Sequence, residues 1–170
     1  MAIIDLKDLK THLLPKDKLL GFDHGKKTIG LAVADPKLTI ASAIETIQRK
    51  KWAHDLQRIR EITQEYQIGA FVIGLPLNMD GTEGPRCQSV RDFAKTLMSV
   101  SEEQFGRDIP IIFWDERLST HAVETFLIDD FDMTRKRRKE VVDKLAAAHI
   151  LQGALDHLHR MENEADDADA

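Results

Sequence analysis

The sequence predicts an α/β domain built on a mixed five-stranded sheet, an antiparallel meander of three strands followed by two parallel strands, with helices on both faces. Three observations predict it. The apolar runs "KLLGFD" and "KTIGLAVAD" are joined through "HGKK", a short glycine-containing hairpin signal. Two continuous apolar runs, "AFVIG" and "IPIIFW", have the composition of buried central strands. Segments with apolar residues at steps of three and four alternate with those runs, the pattern of βα units.

Taken in order, the first seventeen residues read as a weakly structured lead-in that ends at Pro15. After the hairpin, "LTIASAIETI" alternates and is β-branched enough to be a third strand. Trp52, Leu56, Ile59, Ile62 and Tyr66 then form a helical stripe. "AFVIG", Ala70 to Gly74, follows as a strand, and "GLPLNMDGTEGP" is a loop by composition. A second amphipathic helix covers roughly Arg86 to Glu103, and the strand "IPIIFW" stops at "DER". Ser119 or Thr120 is placed to cap a helix beginning "HAVETFLI". A polar, basic loop precedes a long helix from about Lys139 to Met161. The expected organisation is a lead-in over 1–17, one domain over 18–161 and an acidic, disordered tail over 162–170.

With 170 residues, 42% of them hydrophobic, the chain can bury one proper core. It has no apolar run long enough to span a bilayer, and "MAIIDLKDLK" lacks the basic start and apolar centre of a signal peptide. Cys87 is alone and makes no intrachain disulfide. The expectation is a cytoplasmic protein with no membrane association. The net charge of -5 argues at first against a polyanionic partner, but five acids lie in the last nine residues and the remaining body is neutral. Within that body the basic charge is bunched in "RKRRK", Arg135 to Lys139. Such a cluster is either a solvated face or a grip on a phosphate backbone.

Asp23 ends the first strand, Asp115 and Glu116 end the last, and Asp143 sits in "EVVDKLAAAHILQ" bordering an apolar stripe of Val142, Leu145, Ala146, Ile150 and Leu151. Singly, each acid is an ordinary turn former, helix cap or solvated helix residue. Collectively they differ, because parallel strands bring their carboxyl ends to one sheet edge, where open sheets place their sites. Carboxylates gathered there repel one another unless a divalent cation neutralises them. Hard oxygen ligands suit Mg²⁺ or Mn²⁺. Two such ions about 3.5–4 Å apart activate water and stabilise the leaving oxygen in phosphodiester hydrolysis. Zinc and covalent chemistry fare worse: the seven histidines are scattered, Cys87 has no activating neighbour, and "GKKTIG" is not a phosphate-binding P-loop.

The motifs "LLGFDHGKKTIGLAVAD", "VIGLPLNMDGTEG", "IPIIFWDERLST" and "VVDKLAAAHILQ", in this order, resemble the YqgF-type family, also called RuvX-type or Holliday-junction-resolvase-like. Its members are described as pre-16S ribosomal RNA nucleases. The resemblance covers about Leu19 to Leu155 and implies a ribonuclease H-like fold. It implies a divalent-metal-dependent endonuclease maturing the 5′ end of the small-subunit ribosomal RNA in the bacterial cytoplasm, with the small ribosomal subunit as a further partner. Carried over, the family's acids fall on Asp23, Asp115, Glu116 and Asp143, with Asp23, Asp115 and Asp143 as the expected metal ligands. One departure matters: related nucleases carry an acid where the strand after the first helix ends, and here that strand ends "GLP", with no acid until Asp80. The middle ligand must then come from Asp115 or Glu116.

The remaining motif residues suit substrate binding. Gly25 permits a tight turn near a phosphate. Lys26 and Lys27 at the hairpin tip and Arg137 and Arg138 in the basic run are candidate phosphate contacts. Arg117 either pairs with a scissile phosphate or holds Asp115 or Asp143 in place. The loop "NMDGTEG" either closes over substrate or is a structural turn. Three alternatives stay open: a DNA-junction resolvase, which requires a symmetric dimer, an ATPase of the sugar-kinase or chaperone type, and a non-catalytic RNA-binding factor.

Overall fold

The protein is described from a computed structural model that covers residues 3–118 and 134–169, apart from the side chains of Lys136, Lys139, Glu140, Val141 and Asp143. Its elements are α1 (Leu9–His12), β1 (Lys18–His24), β2 (Thr28–Ala34), β3 (Ala41–Gln48), α2 (Trp52–Glu65), β4 (Ile68–Leu75), α3 (Pro85–Phe105), β5 (Ile111–Asp115) and α4 (Arg135–Asp169). The sheet order is β3-β2-β1-β4-β5. The β1/β2 and β2/β3 pairs are antiparallel, and β1/β4 and β4/β5 are parallel, as the strand reading predicts. The expected cap at Ser119 or Thr120 and the helix "HAVETFLI" lie outside the described residues.

Strand alternation sends each residue to one of two cores. Leu20, Phe22, Phe71 and Ile73 face α2 and α3, whose Leu56, Ile59, Ile62, Val90 and Phe93 complete one apolar layer. Phe22 meets Phe71 and Phe93 edge to face, with ring centroids 5.1 and 5.8 Å apart. The opposite layer uses smaller residues, Ala32, Ala34, Ala70 and Val72, against Ala147, Leu151 and Leu155 of α4. Small residues let a helix lie close. A Cβ added at Gly21 would stand 2.9 Å from Leu151 Cβ, so glycine sets the approach of α4 to β1.

Four expectations need correction. The lead-in is packed: a 3-10 turn (Leu6–Asp8) and α1 bring Leu9 into the α4-side core with no exposure, and Ile4 N–H donates to the Ile111 carbonyl beside β5 at 2.9 Å. Leu9 is joined there by the partly buried Ile4, Leu6 and Leu13, so the lead-in is fixed by a small apolar cluster beneath α4. The basic run is the first turn of α4, not a loop. At its far end the acidic tail continues the helix to Asp169. A helix already nucleated and held by its packed middle can extend past the core, and Glu162 pairs with Lys10 of α1. The buried stripe of α4 also runs through Ala147, Ala154 and Leu158 and leaves Val142, Leu145 and Ala146 half-buried.

Candidate active site

The three parallel strands end along one edge of the sheet, β1 at Asp23 and His24, β4 at Leu75, β5 at Asp115. Phe22 is in register with Ile73, so Asp23 and Gly74 are the next positions of neighbouring strands. Gly74 is in register with Trp114 of β5, and Leu75 with Asp115. Phe22, Ile73 and Leu75 belong to the α2/α3 core, which places the alternate positions Asp23 and Gly74 on the α4 face. Trp114 also faces α4, so Asp115 is on the other side of the sheet.

That alternation separates the two acids of "DER". Asp115 is clamped by Arg117: the guanidinium Nε donates to both carboxylate oxygens at 3.0 Å and Nη2 donates to Oδ2 at 2.7 Å. Arg117 N–H donates to Oδ1 as well. The Arg117 bonds hold the Asp115 carboxyl below the usual range, outweighing partial burial. Arg117 thus holds Asp115 in place, as one of the two sequence readings has it. It also donates through Nη1 to the Met79 carbonyl at 3.4 Å, tying the loop after β4 to the strand end. That loop is a closed turn, with Asn78 N–H bonded to the Thr82 carbonyl and Gly81 at φ 88°.

Glu116 instead turns back over β4. Its Oε1 lies 2.6 Å from the point where a Cβ on Gly74 would stand, and Ile150 Cδ1 of α4 is equally near that point. The bare Cα of Gly74 is therefore the space that the Glu116 carboxylate occupies, on the face that Asp23 shares. Asp23 and Glu116 are both half-buried. Position 143 is on α4, one helical turn before Ala147, whose carbonyl is 3.4 Å from a Cβ at Gly21 of β1. The side chain of Asp143 lies outside the described residues. Gly74 itself was not singled out by the sequence reading. The signal was the missing acid at "GLP": where β4 offers no carboxylate, a glycine admits one from β5.

Of the predicted binding residues, Lys26 and Lys27 are exposed at the hairpin tip. Gly25 N–H closes that hairpin onto the Thr28 carbonyl at 2.9 Å, so this amide serves the turn and not a phosphate. Arg137 is exposed and Arg138 half-buried in the first turn of α4. Cations at a helix N-terminus oppose the helix dipole, a placement that a phosphate backbone would relieve.

Among the described residues, no group of three His, Cys, Asp or Glu side chains is close enough to hold a metal ion. Asp23, at the end of β1, and Glu116, seated over Gly74 of the neighbouring strand, share one face, and both offer hard carboxylate oxygens of the kind Mg²⁺ and Mn²⁺ take. The residues fit such an ion.

Residues 17–157 match the model of the RuvX family, described as Holliday junction resolvase. A protein of Rhodospirillum centenum named "Putative pre-16S rRNA nuclease" is 55% identical over 160 residues, 94% of this chain and 84% of that one. A protein of the same name from Methylocella silvestris is 48% identical over 163 residues, 96% of this chain and 97% of that one. Among solved structures, RuvC of T. thermophilus in complex with Holliday junction substrate superposes with a TM-score of 0.53 at 16% identity, covering 86% of this chain and 96% of that one. At that identity the likeness establishes the fold, which is ribonuclease H-like.

Proposed function

Because this chain belongs to the RuvX family, we infer that it is a nuclease acting in maturation of precursor 16S ribosomal RNA, and we propose that it hydrolyses the phosphodiester bond with Mg²⁺ or Mn²⁺. The observation that carries the metal reading is the Glu116 carboxylate seated over Gly74, beside the strand that ends in Asp23. Asp23, Glu116 and Asp143 would hold the ions. Glu116, not Asp115, is the middle member, since Asp115 is on the other face and engaged by Arg117. When bound, the ions neutralise the clustered carboxylates and supply an activated water.

The other residues orient substrate. Arg117 braces the end of β5 and the loop after β4 against each other, giving the sheet edge a rigid wall. Arg137 and Arg138 contribute salt-sensitive contacts to the nucleic-acid backbone. No described helix is long and apolar enough to cross a membrane. Ribosomal RNA processing places the protein in the bacterial cytoplasm, with the small ribosomal subunit as its setting.

The runner-up substrate is a four-way DNA junction, as in the solved RuvC complex. Incubating the pure protein with 5′-extended precursor ribosomal RNA and, in parallel, with a DNA junction separates the two. RNA cleavage with an intact junction supports the maturation reading. The reverse result assigns the protein to junction resolution.

A further inference from the structure

On the opposite side of the same sheet edge, next to Asp23, two adjoining hollows of about 160 and about 510 Å³ share His24, Arg49 and Ser89 as lining. The smaller is also lined by Lys26 and Arg86, and the larger by Trp52 and Phe93, with Asp92 as its one carboxylate. Arg49 is fixed there because its Nη1 donates to the Gly25 carbonyl at 2.7 Å and the Lys26 carbonyl at 3.3 Å. Arg86 stands in the first turn of α3, at the positive end of a 21-residue helix. Among the described residues no carboxylate forms an ion pair with Lys26, Arg49 or Arg86. Asp92 accepts a hydrogen bond from Gln88.

At the base of this cationic rim is His24, only 7% exposed, its ring against Phe93 with centroids 4.5 Å apart. His24 Nε2 is buried with no hydrogen-bond partner among the described residues. A buried polar atom without a partner is costly, so its retention at the base of a cationic hollow points to a partner supplied from outside. Burial first, and then the charges of Arg49 and Arg86, push its pKa down to about 4.

We propose that His24, Lys26, Arg49, Arg86 and Ser89 form a subsite for one phosphate of the substrate strand, displaced from the scissile bond across the end of β1. The inference rests on the nuclease reading for the identity of the strand, but not for the site itself. Asp23 and His24 are consecutive and on opposite faces. A strand crossing the sheet edge at Asp23 therefore passes the hollow, and anchoring a neighbouring phosphate there fixes which bond reaches the carboxylates.

The test is a titration of the isotope-labelled full chain with a short single-stranded RNA in chelator, following the His24 imidazole signals, with inorganic phosphate as a parallel arm. RNA is expected to shift those signals saturably. Arg86→Glu, an exposed change that suits a helix N-terminus, is expected to weaken RNA binding about tenfold and lower the log–log salt slope by about 0.7. Unmoved His24 signals, or unchanged RNA affinity in Arg86→Glu, would overturn the subsite. Saturation by inorganic phosphate without any response to RNA would also overturn it, leaving a free-anion site. Wild-type protein that binds RNA with the His24 response yet cuts nothing would sink the nuclease reading and leave the subsite standing.

Discussion

Glu116 and Gly74 form a side chain and the gap made for it: the carboxylate of one lies 2.6 Å from where the Cβ of the other would be. Gly74→Ala therefore sets a methyl group against both Glu116 and Ile150 Cδ1. Crowding of this kind costs about 1–3 kcal/mol. Thermal unfolding should show a lowered midpoint with the fold retained, and cleavage assays should show a loss well beyond what the fraction unfolded explains.

The two acids of "DER" should separate in mutagenesis. Glu116→Gln removes a carboxylate from the α4 face and should lower the cleavage rate about a hundredfold or more without lowering the melting temperature. Asp115→Asn breaks the bidentate grip on Arg117 and loosens the loop through Met79. Its effect should be smaller in rate and larger in stability. Rate and melting temperature, measured on both variants, check the assignment.

A structural ion pair sets an acid limit on folding. Asp17, 1% exposed, accepts from Arg107 Nη1 and Nη2 at 3.0 and 2.9 Å and from Leu14 N–H at 2.8 Å. Burial alone would raise its pKa, but these bonds outweigh it and hold the carboxyl below its ordinary value of 3.8. A depressed pKa means that the stabilisation is complete above 3.8 and is lost as pH falls through the lower folded value. Asp17→Asn should cost about 1.5–3 kcal/mol at neutral pH and flatten the acid limb of the stability curve. Denaturant melts as a function of pH read both effects.

Replacing Arg137 and Arg138 by glutamine should weaken RNA binding and lower its log–log salt slope by about 0.7 for each lost contact. Fluorescence anisotropy across salt concentrations measures the slope. An unchanged slope would return the basic turn of α4 to a solvated role.

The strands were legible because their apolar runs and turn residues are local signals, and the acids at strand ends because a carboxylate there is conspicuous. The partition of "DER" was not. Asp115 and Glu116 are adjacent letters, and only the alternation carried down from Trp114, with the glycine on the next strand, assigns them to opposite faces. His24 was likewise unreadable, since an isolated histidine after an aspartate carries no pattern. Its buried Nε2 appears only when β3, the hairpin and α3 are assembled around it. The ends of the chain misled for a related reason. Leu9 and Glu162 owe their order to tertiary partners, α4 and Lys10, that no local window contains.

The central claim is that carboxylates on the α4 face work with a divalent ion. Single-turnover cleavage of precursor ribosomal RNA by wild type, Asp23→Asn and Glu116→Gln, each in Mg²⁺, Mn²⁺ or chelator, tests it most directly. The account predicts cutting by wild type with either ion, none in chelator, and cutting slower by about a hundredfold or more in either variant. Undiminished cutting in chelator, or by Glu116→Gln at the wild-type rate, would contradict it.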